Sequence, residues 1–183
     1  MESYLTSVIK QFEYYKLLGE KAMVQVPDEA LFWQYNTESN SIAVIVQHLS
    51  GNMRSRFTDF LTSDGEKPWR NRDEEFEVTA STRQEVITLW YSGWKCLFDT
   101  LTHITQSELE TIIYIRNDGH TVLEAINRQL AHYPYHIGQI IFIAKMVRDA
   151  EWESLSIPRN QSGAYNGRKF GQQKGQRHFT EDL

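Results

Sequence analysis

The stretch TVLEAINRQLAHYPYHIGQIIFIAKM, residues 121–146, decides the fold. Thr121 with Glu124 three residues on is a capping box, in which two side chains satisfy each other's orphan backbone N–H groups at a helix start. The chain beyond this box is apolar on nearly every side, so the spacing predicts a long helix, the most buried of the chain, running to about Ala150. Its one breaker is Pro134, which has no N–H and deprives the Leu130 carbonyl of its usual partner. His132 and His136 flank it, four residues and hence one turn apart on one face. Two imidazoles at that spacing can share an ion, as in an HExxH helix. Here the intervening residues are Tyr133, Pro134 and Tyr135, so the glutamate base of that motif is missing, and Tyr135 is expected on another face.

A helix this apolar needs partners on several sides. Leu5, Val8, Ile9, Phe12, Tyr15 and Leu18 keep a 3.6-residue rhythm and predict an amphipathic helix over Tyr4–Met23. Pro27 ends it, and residues 28–33 suit one further helical turn. SIAVIVQHLSGNMRSRFTDFL, residues 41–61, predicts a second helix starting near Ser39 or Asn40 and ending near Leu61. Gly51 inside it costs about 1 kcal/mol relative to alanine, which signals a close approach. A third helix is predicted over Thr82–Ile104, capped by Ser81, with Val86, Leu89, Trp90, Trp94, Leu97, Phe98 and Leu101 on its apolar side. Between the second and third lie residues 62–80, dense in charge and holding Gly65 and Pro68, a connection long enough to be functional or a crossover. TIIYI, residues 111–115, reads as a short strand and Asn117–Gly119 as a turn. Four long helices with one long connection predict an all-α four-helix bundle over residues 1–153. Residues 154–183, broken by Pro158 and four glycines, read as an extended strap across it, disordered at its end.

The chain of 183 residues is the size of one domain. It carries 19 Lys and Arg against 24 Asp and Glu, a net charge of −5, which does not favour nucleic acid. The strap is net +3 and the remainder −8, favouring the strap's packing on its own domain. MESYLTSVIKQFEYY has no basic segment leading into an apolar run, and no stretch reaches 18 apolar residues. A soluble, cytoplasmic protein without membrane contact is expected. The single cysteine, Cys96, excludes an internal disulfide and a multi-thiolate metal site, and is read as a small buried hydrophobe.

Imidazole is therefore the natural metal ligand, and the pair on the last helix needs a third. His48 lies in the apolar second helix, where a polar ring requires a partner. Ser41, Ile45, His48 and Asn52 form one stripe there; Ala125, Gln129, His132, His136 and Gln139 or Ile140 form another on the last helix. Facing stripes would bring three histidines together with positions left open, as in a catalytic site. Asn52, Gln129 and Gln139 are candidates to orient ligands, water or substrate. Arg54 and Arg56 are candidates to bind an anionic thiol or substrate, and Trp69 and Arg70 to cap the pocket. No carboxylate stands out as a general base. His103 suits the terminal carbonyls of the third helix; His120 and His178 lie outside the two stripes.

QHLSGNMRSRF (47–57) together with HYPYHIGQI (132–140) resembles the DinB-like superfamily of metal-dependent enzymes, and LSIPRNQSGAYN (155–166) resembles a bacterial subgroup of it. The resemblance covers nearly the whole chain. It implies an up-up-down-down four-helix bundle with a long crossover, and one divalent ion, nickel or zinc, held by His48, His132 and His136. It also implies kinship with bacillithiol- and mycothiol-dependent transferases, and a homodimer. The expected function is a metal-dependent enzyme acting on a small electrophilic molecule, as a transferase using the thiolate of a low-molecular-weight cosubstrate. The alternatives are a hydrolase using activated water and a non-enzymatic metal-binding stress-response protein.

Overall fold

Four long helices share one core in the computed structural model, which describes residues 3–77 and 79–182. They are α1 (Ser3–Val24), α2 (Ile42–Phe57), α3 (Arg83–Leu101) and α4 (Val122–Arg148). Helix α2 packs chiefly on α3, and α1 on α4. The protein is thus mostly helical, as expected, but not wholly so. Strands β1 (Ile112–Ile115) and β2 (Asp118–Thr121) pair antiparallel, with Ile112 opposite Thr121 and Ile115 opposite Asp118. The turn sits one residue earlier than expected, on Arg116 and Asn117, at φ 57° and 64°. Positive φ at both central residues gives the twist that suits a two-residue hairpin.

The helix starts are set by caps. Thr121 and Glu124 form the expected capping box of α4, which then runs unbroken through Pro134 to Arg148. Thr82 and Glu85 form another, so Thr82 rather than Ser81 caps α3; Ser81 donates instead to Glu85. Ser41, not Ser39 or Asn40, caps α2 by accepting from the Val44 N–H. Ser39 is bound into a turn with Asn36. Helix α2 stops at Phe57 rather than Leu61, because Asp59 takes φ 48° and turns the chain. Helix α3 likewise ends at Leu101, short of Ile104. Residues Asp28–Phe32 form a 3₁₀ turn in place of the expected helical one.

The expectation that α4 is the most buried helix is wrong. Tyr135, Phe142 and Met146 are exposed along it, whereas α2 is buried on nearly all sides. Helix α2 is central because α3, α4 and the 62–80 connection all cover it. Gly93 of α3 permits one such approach, since a Cβ there would lie 2.9 Å from Ser50 Cα. The tail is not simply extended: it carries α5 (Ser162–Phe170), and Phe179–Asp182 forms a 3₁₀ turn in the part expected to be disordered. Leu183, the last residue of that expectation, lies outside the described residues. The tail end returns to α1, where Phe179 packs edge-on to Tyr14 and Lys10 pairs with Glu181 at 3.0 Å. No helix among the described residues is long and apolar enough to cross a membrane.

The four helices meet in an aromatic cluster. Phe12 of α1 lies 6.3 Å from Trp94 of α3 and 5.8 Å from Tyr133 of α4, ring centre to ring centre. Tyr133 is fully buried, and its hydroxyl donates to Asn52 Oδ1 of α2 at 3.0 Å. Burial pushes the phenol's pKa far up, so it remains a donor. Tyr133→Phe leaves the buried Asn52 oxygen without that donor. It should lower stability by about 1–3 kcal/mol, seen as a lower urea midpoint with an unchanged slope.

Candidate metal centre

With Tyr133 pointing into the core, its sequence neighbour His132 and the i+4 residue His136 are turned toward α2. His48 meets them from the other side. His132 Nε2 lies 3.0 Å from His136 Nε2 and 3.5 Å from His48 Nε2. All three ligand atoms fall within 4.8 Å of one another. An ion with nitrogen ligands at about 2.1 Å sets those nitrogens about 3.0 Å apart for right-angled bonds and about 3.4 Å apart for tetrahedral ones. The two separations that include His132 match those values.

The outer nitrogen of each ring is engaged. His48 Nδ1–H donates to Glu75 Oε2 at 2.9 Å. His136 Nδ1 faces Gln139 Oε1 at 2.7 Å, and His132 Nδ1 faces Gln129 Oε1 at 3.3 Å. Gln139 also donates its amide to the Tyr135 hydroxyl at 3.1 Å, consistent with its oxygen facing the imidazole. When Nδ1 carries the hydrogen, Nε2 of a neutral ring offers its lone pair inward. Burial, with the neighbouring His136, His48, Arg128 and Arg56, lowers the His132 pKa to about 3. Burial likewise lowers His136, against a partial offset from Gln139. Both are therefore neutral near pH 7, the state a metal requires.

The remaining predicted residues divide. Gln129 and Gln139 sit against the ring nitrogens. Asn52 serves the Tyr133 hydroxyl. Arg56 is buried and bound to Ser55, the Gly65 carbonyl and Glu66. Arg54 lies over the exposed Trp69 ring at 5.5 Å. Arg70 is buried beneath Glu75, donating from Nε at 2.7 Å and from Nη2 at 2.8 Å. His103 stands apart from the trio; its Nδ1 lies 2.6 Å from the Asp99 carbonyl near the end of α3, as expected. His120 sits in the β-ladder opposite Ile113, and His178 binds Ser7 and Thr180. Cys96 is half-buried, 3.6 Å from Thr58 Oγ1.

Sequence reasoning missed Glu75. It lies in the 3₁₀ turn Asp73–Phe76 within the 62–80 connection. Burial pushes its carboxyl pKa up, but hydrogen bonds from Arg70 and His48 outweigh this and hold it below the usual range. The available signal was Gly51, one turn from His48 on the same buried helix. A Cβ at Gly51 would stand 2.2 Å from Glu75 Oε1, so only glycine lets the carboxylate so close. From the same turn Phe76 stacks on the His48 ring at 5.2 Å.

The family model described as "Protein of unknown function (DUF1572)" matches residues 1–161, and the chain belongs to that family. No curated protein and no solved structure gives a significant match. Membership of that family is consistent with a DinB-like superfamily, although its description does not name one.

The depressed His132 pKa gives a pH dependence with a definite sign. Above about pH 6.5 the ring is neutral in both folded and unfolded chains and contributes nothing. As pH falls from there toward about 3, only the unfolded chain takes up the proton, so stability falls. In chelator-treated protein, urea midpoints should drop more steeply between about pH 6.5 and 4 for wild type than for His132→Leu.

Proposed function

We propose that this DUF1572 family member is a divalent-metal-dependent enzyme acting on a small electrophilic molecule, with His48, His132 and His136 as its metal ligands. The convergence of three Nε2 atoms, each ring backed on Nδ1 by a side-chain oxygen, carries the reading. Three neutral imidazoles suit zinc or nickel, and three protein ligands leave positions for a substrate. When bound, such an ion supplies Lewis acidity and lowers the pKa of a water or thiol presented to it. The chain's own residues hold the three rings in register, and burial keeps His132 and His136 unprotonated.

A transferase using an external low-molecular-weight thiol is the favoured form of this reading. Cys96 is the chain's single cysteine, and it lies beside Thr58 rather than among the three histidines. A thiol nucleophile must therefore come from a cosubstrate. Arg54 is the proposed contact for its anionic group, whereas Arg56 is committed to Glu66. Glu75 is committed to Arg70 and His48, which leaves it ill placed as a general base for the alternative, hydrolysis by activated water. The resemblance of the histidine motifs to the DinB-like superfamily supports the same reading. It extends the proposal to an up-up-down-down bundle, a homodimer and a cytoplasmic setting.

Protein purified without added metal, or titrated with zinc after chelation, should bind close to one ion per chain by elemental analysis. Losing an outer partner of a ligating histidine typically weakens metal binding about 10–100-fold. His48→Ala, His132→Ala and His136→Ala each remove a ligand itself, so each should weaken binding by roughly 100-fold or more. Turnover of thiol–electrophile pairs should require the ion and vanish in the same variants. Metal content indifferent to all three substitutions would overturn the site. Bound metal with no turnover of thiol–electrophile pairs, esters or amides would favour a binding protein.

A further inference from the structure

The 62–80 connection does more than join α2 to α3. Gln47, next to His48, donates to the carbonyls of Glu74 and Glu77 at 3.0 and 2.7 Å and accepts from Thr79. That pins the Asp73–Phe76 turn against α2 directly over His48. Phe76 covers the face of the imidazole, and Glu75 takes its Nδ1–H. Arg70 meets both oxygens of Glu75 through two nitrogens, with its side chain only 2% exposed and that of Glu75 8%. Glu66 in turn contacts Arg70, Arg56 and Arg116.

A buried carboxylate is costly unless it is paired, and a two-point guanidinium contact both pairs and orients it. Glu75 therefore cannot swing toward the trio as a ligand or base without abandoning Arg70. Its oxygen on Nδ1 also selects one imidazole tautomer, because an ionised carboxylate only accepts. His132 and His136 have neutral amides in the same position, so the carboxylate distinguishes His48 from them.

We propose that Glu75, locked by Arg70, is a positioning residue that holds His48 in the Nδ1–H tautomer with Nε2 aimed at the trio. Gly51 is the opening that admits it. This role rests on the metal reading for its consequence, but the tautomer itself exists in the metal-free protein.

The test uses the full chain with ¹⁵N-labelled histidine, free of metal and at a pH where the rings are neutral. Two-bond ¹H–¹⁵N spectra should show His48 as a single Nδ1–H tautomer in wild type. Glu75→Ala should give a mixture of tautomers, and Glu75→Gln, which keeps an acceptor oxygen, should restore most of the single form. Gly51→Ala, which displaces the carboxylate without removing any charge, should behave like Glu75→Ala and guards against a variant that fails to fold. Zinc affinity should fall about 10–100-fold in Glu75→Ala and Gly51→Ala, the range found for outer partners of ligating histidines. A His48 tautomer unaltered in both variants, or zinc affinity within about twofold of wild type in both, would overturn the proposal. Wild type that binds no zinc while showing the single tautomer would sink the metal reading and leave the Glu75 contact standing.

Discussion

The hydrogen bond from Tyr133 to Asn52 sets the geometry on which the site depends. A helix can rotate about its axis against a neighbour with little change in apolar area, because the hydrophobic effect is non-directional. A buried hydroxyl and amide oxygen remove that freedom, since any rotation that parts them leaves polar atoms unpaired in the core. Asn52 lies one turn beyond His48, and Tyr133 lies between His132 and His136. One polar contact therefore fixes the relative rotation of α2 and α4 within a turn of all three histidines. Phe12 and Trp94, packed on Tyr133, tie α1 and α3 to the same setting.

The second constraint is electrostatic and comes from the crossover. Arg56, Glu66, Arg70 and Glu75 alternate in sign through the space beside α2, and His48 ends the series. Buried ion pairs seldom add net stability over apolar packing, but removing one member is costly because it strands a charge. Such a chain therefore specifies one arrangement of a long loop that apolar contacts alone would leave loosely defined. Asp64 extends this order to the hairpin by accepting from the Arg116 and Asn117 amides at 2.8 and 2.9 Å.

Elements carried by periodicity and caps were legible in the sequence. The four helices and the Thr121–Glu124 box arise from local patterns, and so does the shared face of His132 and His136, since i, i+4 spacing fixes a face; the meeting of that face with His48 was an expectation that rested on the family resemblance. What was illegible depended on tertiary contact. Helix α2 ends four residues early because of a left-handed Asp59, a choice that its apolar continuation through Phe60 and Leu61 hides. The burial of α4 was overestimated because composition does not say how many neighbours a helix has. Arg56 looked like an anion receptor, and only the folded crossover reveals Glu66 beside it. Glu75 sits among Asp73, Glu74 and Glu77, which resemble it in sequence; only the approach at Gly51 separates it from them.

The charge arrangement around the trio bears on what an ion there could do. Three neutral imidazoles leave the charge of a divalent cation undiminished, whereas each carboxylate ligand would subtract one unit. A carboxylate behind a ligating histidine has a similar effect at longer range, since it makes the imidazole more basic and places negative charge near the centre. Here Arg70 sits on that carboxylate through two hydrogen bonds and compensates it. The arrangement keeps the orienting benefit of an ionised acceptor while limiting its field. Neutral Gln129 and Gln139 orient the other two rings with no charge at all. An ion held there would keep more of its Lewis acidity than one ligated by carboxylates, which is the property that the proposed electrophilic activation would use.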